Sequence, residues 1–403
     1  MNSKFSIAKR LARPSRKQLD AYLHRNTATL LYRGKDFFSV LIKELGQAKH
    51  CIHFQTYIFE SDQTGTEVGE ALIQAAGRGV RISLLVDGFA SQAMSKSFIQ
   101  KLKEAGIAFR FFEPLLRSRH FYFGRRLHHK VVVIDGFIAF VGSMNVADRY
   151  NDVPEDPAWF DLALMVKGEV SAQLHKICNR MWSMGVRKNI PLPEDIDKRI
   201  DELPEEEFCD IRVRQNDWVS RRIQASRTYR EFFRTSKERI HVVCSYFLPS
   251  KSLRRLLERR VREGVKVTIV LAGSSDISFV KWAERYLYRW MLEQDIEVYE
   301  YQPTVLHCKM AVMDGKIVTL GSYNVNELSD YASIELNLDV NNKKFGTHVE
   351  GAIRKLIKND CEKVDLTSYL PRRYTLKHLG YFLAFRIVRM MIILTTFYFR
   401  RKE

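Results

Sequence analysis

The feature that most constrains this chain is a stretch written twice. His128-His129-Lys130-Val131-Val132-Val133-Ile134-Asp135 is followed, after six residues, by Gly142-Ser143-Met144-Asn145. His307-Cys308-Lys309-Met310-Ala311-Val312-Met313-Asp314 is followed at the same distance by Gly321-Ser322-Tyr323-Asn324. The matched His, Lys, Asp, Ser and Asn positions all lie 179 residues apart. Polar residues that recur in one register inside apolar text do not behave like core packing. The rest of the chain reads as the frame that holds two copies of one device.

That frame is itself repeated. Cys51 to Ile58 has the β-branched and aromatic content of a strand, Glu67 to Ala76 has helical spacing, and Val80 to Val86 is a strand buried on both faces. A helix from Ser97 to Ala105 and a strand from Ile107 to Phe112 follow. Strand–helix–strand alternation predicts a sandwiched sheet with right-handed crossovers. The second half offers the same series: Arg239 to Tyr246, Leu253 to Glu263, Val265 to Leu271, Lys281 to Glu293 and Ile296 to Tyr301. A period of ~180 residues is a domain duplication, since solenoid repeats run to about 50. The expected boundaries are a basic segment at 1–25, domains at 26–186 and 211–370 joined by a Pro- and Glu-rich connector at 187–210, and a basic, apolar segment at 371–403. The first copy also carries an insertion, about Leu115 to Gly124, rich in Arg and aromatics.

The net charge of +18 attracts polyanions, whether nucleic acid or the anionic face of a membrane. The six cysteines form no CxxC pair, which reads as reduced and mostly buried thiols in a cytosol-facing protein. The basic N-terminus has no apolar run of signal-peptide length, and nothing argues for export. Leu379 to Phe399 is apolar and long enough to span a bilayer, but Arg386 and Arg389 interrupt it, each costing about 2.5–3.5 kcal/mol at a bilayer centre. The preferred reading is a helix lying in the membrane interface with its arginines toward headgroups. A spanning helix and a helix packed on the protein are the alternatives.

On a strand, His128 and Lys130 point one way and His129 the other; His307 and Lys309 likewise oppose Cys308. Asp135-Gly136 and Asp314-Gly315 are strong hairpin dipeptides, so each unit reads as a hairpin that brings Gly-Ser-x-Asn back beside His-x-Lys. That reasoning makes Asp135 and Asp314 structural. Joined, the two copies hold imidazoles, ammonium groups, hydroxyls and amides, a set suited to an anion with tetrahedral oxygens. Two imidazoles also allow two roles, one neutral and nucleophilic, the other protonated and donating to a leaving oxygen. No metal is expected: adjacent His128 and His129 diverge, and no ligand spacing such as HExxH occurs.

The doubled HxKxxxxD with its trailing GSxN resembles the phospholipase D superfamily, from about Asn26 to Asp339. Within it, Phe54-Gln55-Thr56-Tyr57-Ile58-Phe59, Leu85-Val86-Asp87-Gly88 and Phe140 to Tyr150 read like the shorter bacterial cardiolipin synthases. The resemblance implies an α/β fold of two duplicated phospholipase D-like sandwich domains with pseudo-two-fold symmetry and a shared active site. It implies a phosphatidyl transferase working through a phosphohistidine, with no cofactor, and it counts His128, Lys130, Asp135, His307, Lys309 and Asp314 as the catalytic set. It further implies an acid that orients each histidine, assigned to Asp161 and Glu335. Ser143, Asn145, Ser322 and Asn324 are expected to bind the phosphate. Arg117, Arg119, Arg125, Arg126, Arg386 and Arg389 are expected at the membrane or substrate. The implied partners are phospholipids and an anionic membrane surface on the cytoplasmic side, in a peripheral or monotopic protein. A phosphodiesterase acting on lipid or nucleic acid is the rival, and a non-catalytic membrane-binding protein the third reading. One departure from the family pattern is the lack of an arginine soon after Asn324.

Overall fold

The structure, a computed structural model, describes residues 20–113, 125–153, 157–183, 189–220, 222–331, 333–365 and 376–400. Of the inserted segment, Arg117 and Arg119 with most of their neighbours lie outside the described residues. The described residues form two compact units, one drawn from 20–113, 126–214 and 336–341, the other from 125, 215–335 and 342–400.

The first sheet is built from β1 (Asn26–Tyr32), α1 (Arg33–Gln47), β2 (Cys51–Thr56), α2 (Gln63–Gly77), β3 (Arg81–Asp87), α3 (Lys96–Glu104) and β4 (Ala108–Phe112). After β5 (Arg126–Leu127), which is not a strand of this sheet, come β6 (Lys130–Ile134), β7 (Ile138–Gly142), β8 (Leu162–Gly168), α4 (Glu169–Ser183) and α5 (Ile196–Asp201). Its strand order is β1-β8-β7-β6-β2-β3-β4. β2, β3 and β4 run parallel through helical crossovers, as the alternation predicts, and β6 joins β2 antiparallel.

The second sheet follows with β9 (Asp210–Asp217), β10 (Arg222–Ile223), α6 (Gln224–Thr235), β11 (Arg239–Cys244), α7 (Lys251–Arg262), β12 (Lys266–Ala272), α8 (Ser278–Tyr286), α9 (Tyr288–Glu293) and β13 (Glu297–Tyr301). It continues with β14 (Lys309–Met313), β15 (Ile317–Gly321), α10 (Glu327–Tyr331), β16 (Ser333–Asn341), α11 (Lys343–Asp360), β17 (Cys361–Lys363) and α12 (Leu376–Arg400). Its order contains β16-β15-β14-β11-β12-β13, which repeats the path β8-β7-β6-β2-β3-β4 strand for strand. The duplication is therefore one of topology as well as text. The helix expected over Lys281 to Glu293 is two helices, α8 and α9, with Leu287 between them.

Period-two alternation divides each sheet into two faces. In the first, Ile52, Phe54, Leu84, Val86, Val132 and Ile134 pack with Leu41, Leu72 and Leu102 of α1, α2 and α3 in one core. Each such side chain, fully buried, contributes about 1.5–3 kcal/mol. The residues between them face the other way, toward α4: Gln55 Nε2 donates to the Cys178 carbonyl at 2.9 Å, and the His53 and His175 rings lie 4.6 Å apart. Helix starts are set locally. Asp62 and Ser95 accept from Gly65 and Phe98 N–H, and Ser250 and Asn342 do the same for α7 and α11. Within the connector, Ile196 and Ile200 of α5 pack with Ala172 of α4. All six cysteines are free thiols, five of them buried.

The face under α4 carries a pH liability. Burial, with His175 adding, lowers the pKa of His53 to about 3, and burial lowers that of His175 to about 4. Both imidazoles are neutral in the fold and take up protons on unfolding near pH 6.5. Their contribution is complete above pH 6.5 and is lost as pH falls from there toward 4. Urea melts at pH 7 and pH 5 should differ by roughly 2 kcal/mol for each histidine. His53→Gln with His175→Gln should reduce that pH slope; an unchanged slope would show that these histidines are not buried neutral.

Candidate active site

Each motif is a β-hairpin: β6 and β7 pair from Lys130↔Gly142 to Ile134↔Ile138, and β14 and β15 pair from Met310↔Leu320 to Met313↔Ile317. The turns are closed by Phe137 N–H to the Ile134 carbonyl and by Lys316 N–H to the Met313 carbonyl, both at 3.0 Å. Both central residues of each turn have positive φ, 53° and 62° at Asp135-Gly136 and 53° and 56° at Asp314-Gly315. Asp and Gly are the residues that tolerate that conformation. At the far end of the first hairpin, a Cβ on Gly142 would meet the Leu162 carbonyl oxygen at 2.7 Å, so only glycine lets β7 close on β8 there.

The motif aspartates clamp the entries to two neighbouring strands. Asp135 accepts the backbone N–H groups of Lys49, His50 and Cys51 at 3.0, 2.7 and 2.9 Å. Asp314 accepts those of Lys237, Glu238 and Arg239, each at 3.0 Å, and the Ser236 hydroxyl at 2.7 Å. Burial alone would raise the pKa of Asp314, but these donors together hold it below the usual carboxylate value. As the strand-alternation reading predicts, their oxygens serve the strand entries of β2 and β11.

The His-x-Lys pairs share one local geometry. Lys130 Nζ donates to the His128 carbonyl at 2.7 Å, and Lys309 Nζ donates to the His307 carbonyl. Both ammonium groups are buried. His129 turns the opposite way, its Nε2 3.0 Å from Gln55 Oε1. An amide oxygen only accepts, so that bond places the proton on Nε2. Cys308, the equivalent residue, is fully buried.

The serines and acids also recur as pairs, the acids standing just before β8 and on β16, strands that sequence reasoning did not identify. Ser143 donates its hydroxyl to Asp161, and Ser322 donates to Glu335 Oε2 at 2.5 Å. Ser333 adds a bond to Glu335 Oε1 at 2.6 Å, and Leu162 N–H one to Asp161 at 2.8 Å. A serine has one proton, so while it serves the acid it cannot also donate to a phosphate. The asparagines are likewise engaged. Asn145 accepts from Ile58 N–H at 3.1 Å and donates to the Tyr150 hydroxyl at 2.8 Å, while Asn324 accepts from the Ser245 hydroxyl at 3.0 Å. In this geometry Ser143, Asn145, Ser322 and Asn324 fasten the site's walls.

Three arginines are engaged within the fold. Arg125 is buried against Asp217, with its Nη2 at 3.1 Å. Arg126 donates to the Glu113 carbonyl at 3.2 Å and lies 3.6 Å from Asp87. Arg126 is half-buried. Arg149, after the first GSxN, is bidentate on Glu60 at 2.8 and 3.1 Å. Glu60 and Leu248 occupy matching places, their N–H groups bonding the Val146 and Val325 carbonyls. The second copy has Leu328 in register with Arg149. The arginine absent after Asn324 is thus one half of an ion pair whose other half is absent too.

Two functional candidates emerge only from the fold. Asp87, fully buried, accepts Leu127 N–H at 2.8 Å and so holds the residue that enters His128. Tyr57 lies with its ring 4.8 Å from that of His128, and Lys130 Nζ sits 5.1 Å from the Tyr57 centroid. Register against the motif strands matches Tyr57 with Ser245, so the two histidines have different neighbours. Both residues stand in stretches already singled out by resemblance, but nothing in their spacing marked a role.

A family model described as the cardiolipin synthase, PLD-like domain matches residues 41–182 and 229–357, one match on each copy. The chain belongs to that family. It is a phosphatidyl transferase of the cardiolipin synthase type, and its substrates are phospholipids. It is similar to cardiolipin synthase B of Salmonella typhi, 31% identical over 369 residues, covering 90% of this chain and 88% of that protein. It is 28% identical to cardiolipin synthase B of Escherichia coli strain K12 over 377 residues, with the same two coverages. In fold it resembles the phosphatidylserine synthase of Haemophilus influenzae Rd KW20, with a TM-score of 0.72, 12% identity, and 97% and 99% of the two chains covered.

The clamp assignment is testable. Asp135→Asn and Asp314→Asn keep the positive-φ backbone but weaken three backbone hydrogen bonds to a charged acceptor. Each should lower unfolding free energy by roughly 2–4 kcal/mol in urea melts. An unchanged melting midpoint would remove the clamp role.

Proposed function

We propose that the chain makes cardiolipin by moving a phosphatidyl group from phosphatidylglycerol, or another phospholipid, to the terminal hydroxyl of phosphatidylglycerol. His128 attacks phosphorus and a P–N bond forms as the P–O bond to the headgroup alcohol breaks; His307 gives that alcohol its proton. The now neutral His307 takes the proton from the incoming hydroxyl, whose oxygen forms the new P–O bond as the P–N bond to His128 breaks. Lys130 and Lys309 balance charge on the phosphoryl oxygens, and Asp161 and Glu335, held by Ser143 and Ser322, orient the imidazoles. The observation that carries this reading is the recurrence, in both copies, of the same Lys–His carbonyl and Ser–acid bonds. The domains at 26–186 and 211–370 each supply one copy. The basic insertion with Arg117 and Arg119, together with the 371–403 segment, holds the enzyme on the cytoplasmic face of the membrane.

Phosphatidylglycerol vesicles, with and without phosphatidylethanolamine, should yield cardiolipin and the freed alcohol. Phosphatidic acid alone would make it a hydrolase, and cleavage of single-stranded DNA without cardiolipin would overturn the lipid reading. His128→Ala and His307→Ala should each reduce turnover by at least about a thousandfold. With radiolabelled lipid, His307→Ala should trap label on the protein and His128→Ala should not. The reverse pattern would exchange the two roles.

Tyr57 gives the two imidazoles unequal surroundings, which supports unequal roles. Tyr57→Ser, the residue type found opposite Asn324, should reduce the rate of labelling while Tyr57→Phe retains it. Equal labelling by both variants would show that the ring does not position His128.

A further inference from the structure

The exposed apolar surface of this protein is concentrated in one place. Twelve of the fourteen large hydrophobic side chains exposed among the described residues belong to α12, to α8, or to Ile277 at the start of α8. On α12, Ala384 and Val388 belong to the second core, and Tyr381 on the same side is buried. Leu379, Leu383, Met390 and Leu394 recur on the opposite side, and Leu394 is 69% exposed.

Helix α8 lies beside α12, joined through Tyr286 to Phe382 and Phe385 at 5.7 and 4.7 Å and through Trp282 to Tyr381 at 6.3 Å. Its polarity is inverted. Lys281 and Glu284 are buried and paired at 2.9 Å, with Glu300 3.1 Å from the same ammonium, whereas Phe279, Trp282 and Tyr286 are exposed. A helix that buries its ions and exposes its aromatics in water forgoes hydrophobic stabilisation on that side. Such an arrangement suits an apolar medium outside.

We infer that α8 and α12 together form a platform that seats the enzyme on a phospholipid surface with anionic headgroups, α12 lying flat and α8 contributing Phe279, Trp282 and Tyr286. The charges fit this occupant. Residues 376–400 hold no acid, while Arg386 and Arg389 flank the stripe over Phe382 and Phe385, and Arg254 lines the groove beside Phe385 and Arg389. No helix among the described residues is long and apolar enough to cross a membrane. The platform is tied to the second motif, because Glu284 accepts Phe247 N–H at 2.8 Å, two residues beyond the Ser245 that holds Asn324. The inference rests on the phospholipid reading and adds to it a partner surface in which α8, a helix inside the second domain, takes part.

The full chain is tested by co-sedimentation with phosphatidylglycerol–phosphatidylcholine vesicles. Phe279→Ser with Trp282→Ser, and separately Leu383→Ser with Met390→Ser, should each reduce partitioning by about tenfold or more. Trp282→Phe keeps the apolar surface and should bind as the parent does, while losing the fluorescence quenched by brominated lipid. Turnover of a short-chain phosphatidylglycerol below its micellar concentration should be unchanged in all three. Unchanged partitioning of the α8 pair, or no quenching assignable to Trp282, would overturn the platform. So would variants that stay on vesicles but change from dimer to monomer in sedimentation equilibrium, since the patch would then join two copies. If the parent binds vesicles through these residues but turns over no monomeric lipid, the transferase reading fails and the platform stands.

Discussion

One carboxylate at the turn of each motif hairpin sets the register on which the site depends. Asp135 gathers three backbone N–H groups from the entry to β2, and its own N–H bonds the Cys51 carbonyl at 2.8 Å. Asp314 does the same for β11, with its N–H on the Arg239 carbonyl at 2.9 Å. A one-residue slip in a strand exchanges its faces. Here a slip would bring His129 and Cys308 to the positions of His128 and His307, and would put Val131 and Met310 in place of the buried lysines. The chemistry is therefore secured by a residue that performs none of it.

From that register follows a division of labour between the faces. The side chains in phase with Val132 and Ala311 build the apolar cores, and those in phase with Val131 meet α4 through a polar layer that includes Gln55, His53 and His175. Burial keeps His53 and His175 neutral, so this face ties the first domain's stability to pH without taking part in transfer. The Ser–acid pairs stand at strand ends, Ser143 just beyond β7 and Ser322 just beyond β15, where the sheet has stopped and side chains are available for a site. In each copy an acid on the adjoining strand region receives the hydroxyl.

The copies agree in these bonds and differ around them. Tyr57 stands where the second copy has Ser245, Asp87 holds the approach to the first motif, and the Arg149–Glu60 pair is matched by leucine positions. A phosphohistidine cycle needs one imidazole neutral while the other carries a proton, and identical surroundings would favour neither. The differences concern positioning, while the groups that would meet phosphorus are retained in both copies.

The doubled text determined by itself the family, the α/β class, the duplication and the direction of His128, Lys130 and His129, because strand alternation and Asp-Gly turn chemistry act within a few residues. It also pointed to Asp161 and Glu335, although their serine partners were not legible: the bonds join residues 18 and 13 apart in sequence. Tertiary structure decided that the serines and asparagines serve acids, hydroxyls and backbone, since a hydroxyl's one proton goes to whichever acceptor the sheet brings within reach. It also decided that Arg125 is buried with Asp217 and that Arg126 reaches the Glu113 carbonyl. It joined α8 to α12, nearly a hundred residues on, and turned the aromatics of α8 outward. That orientation follows from the buried Lys281–Glu284–Glu300 group, a long-range constraint that no local pattern of hydrophobicity encodes.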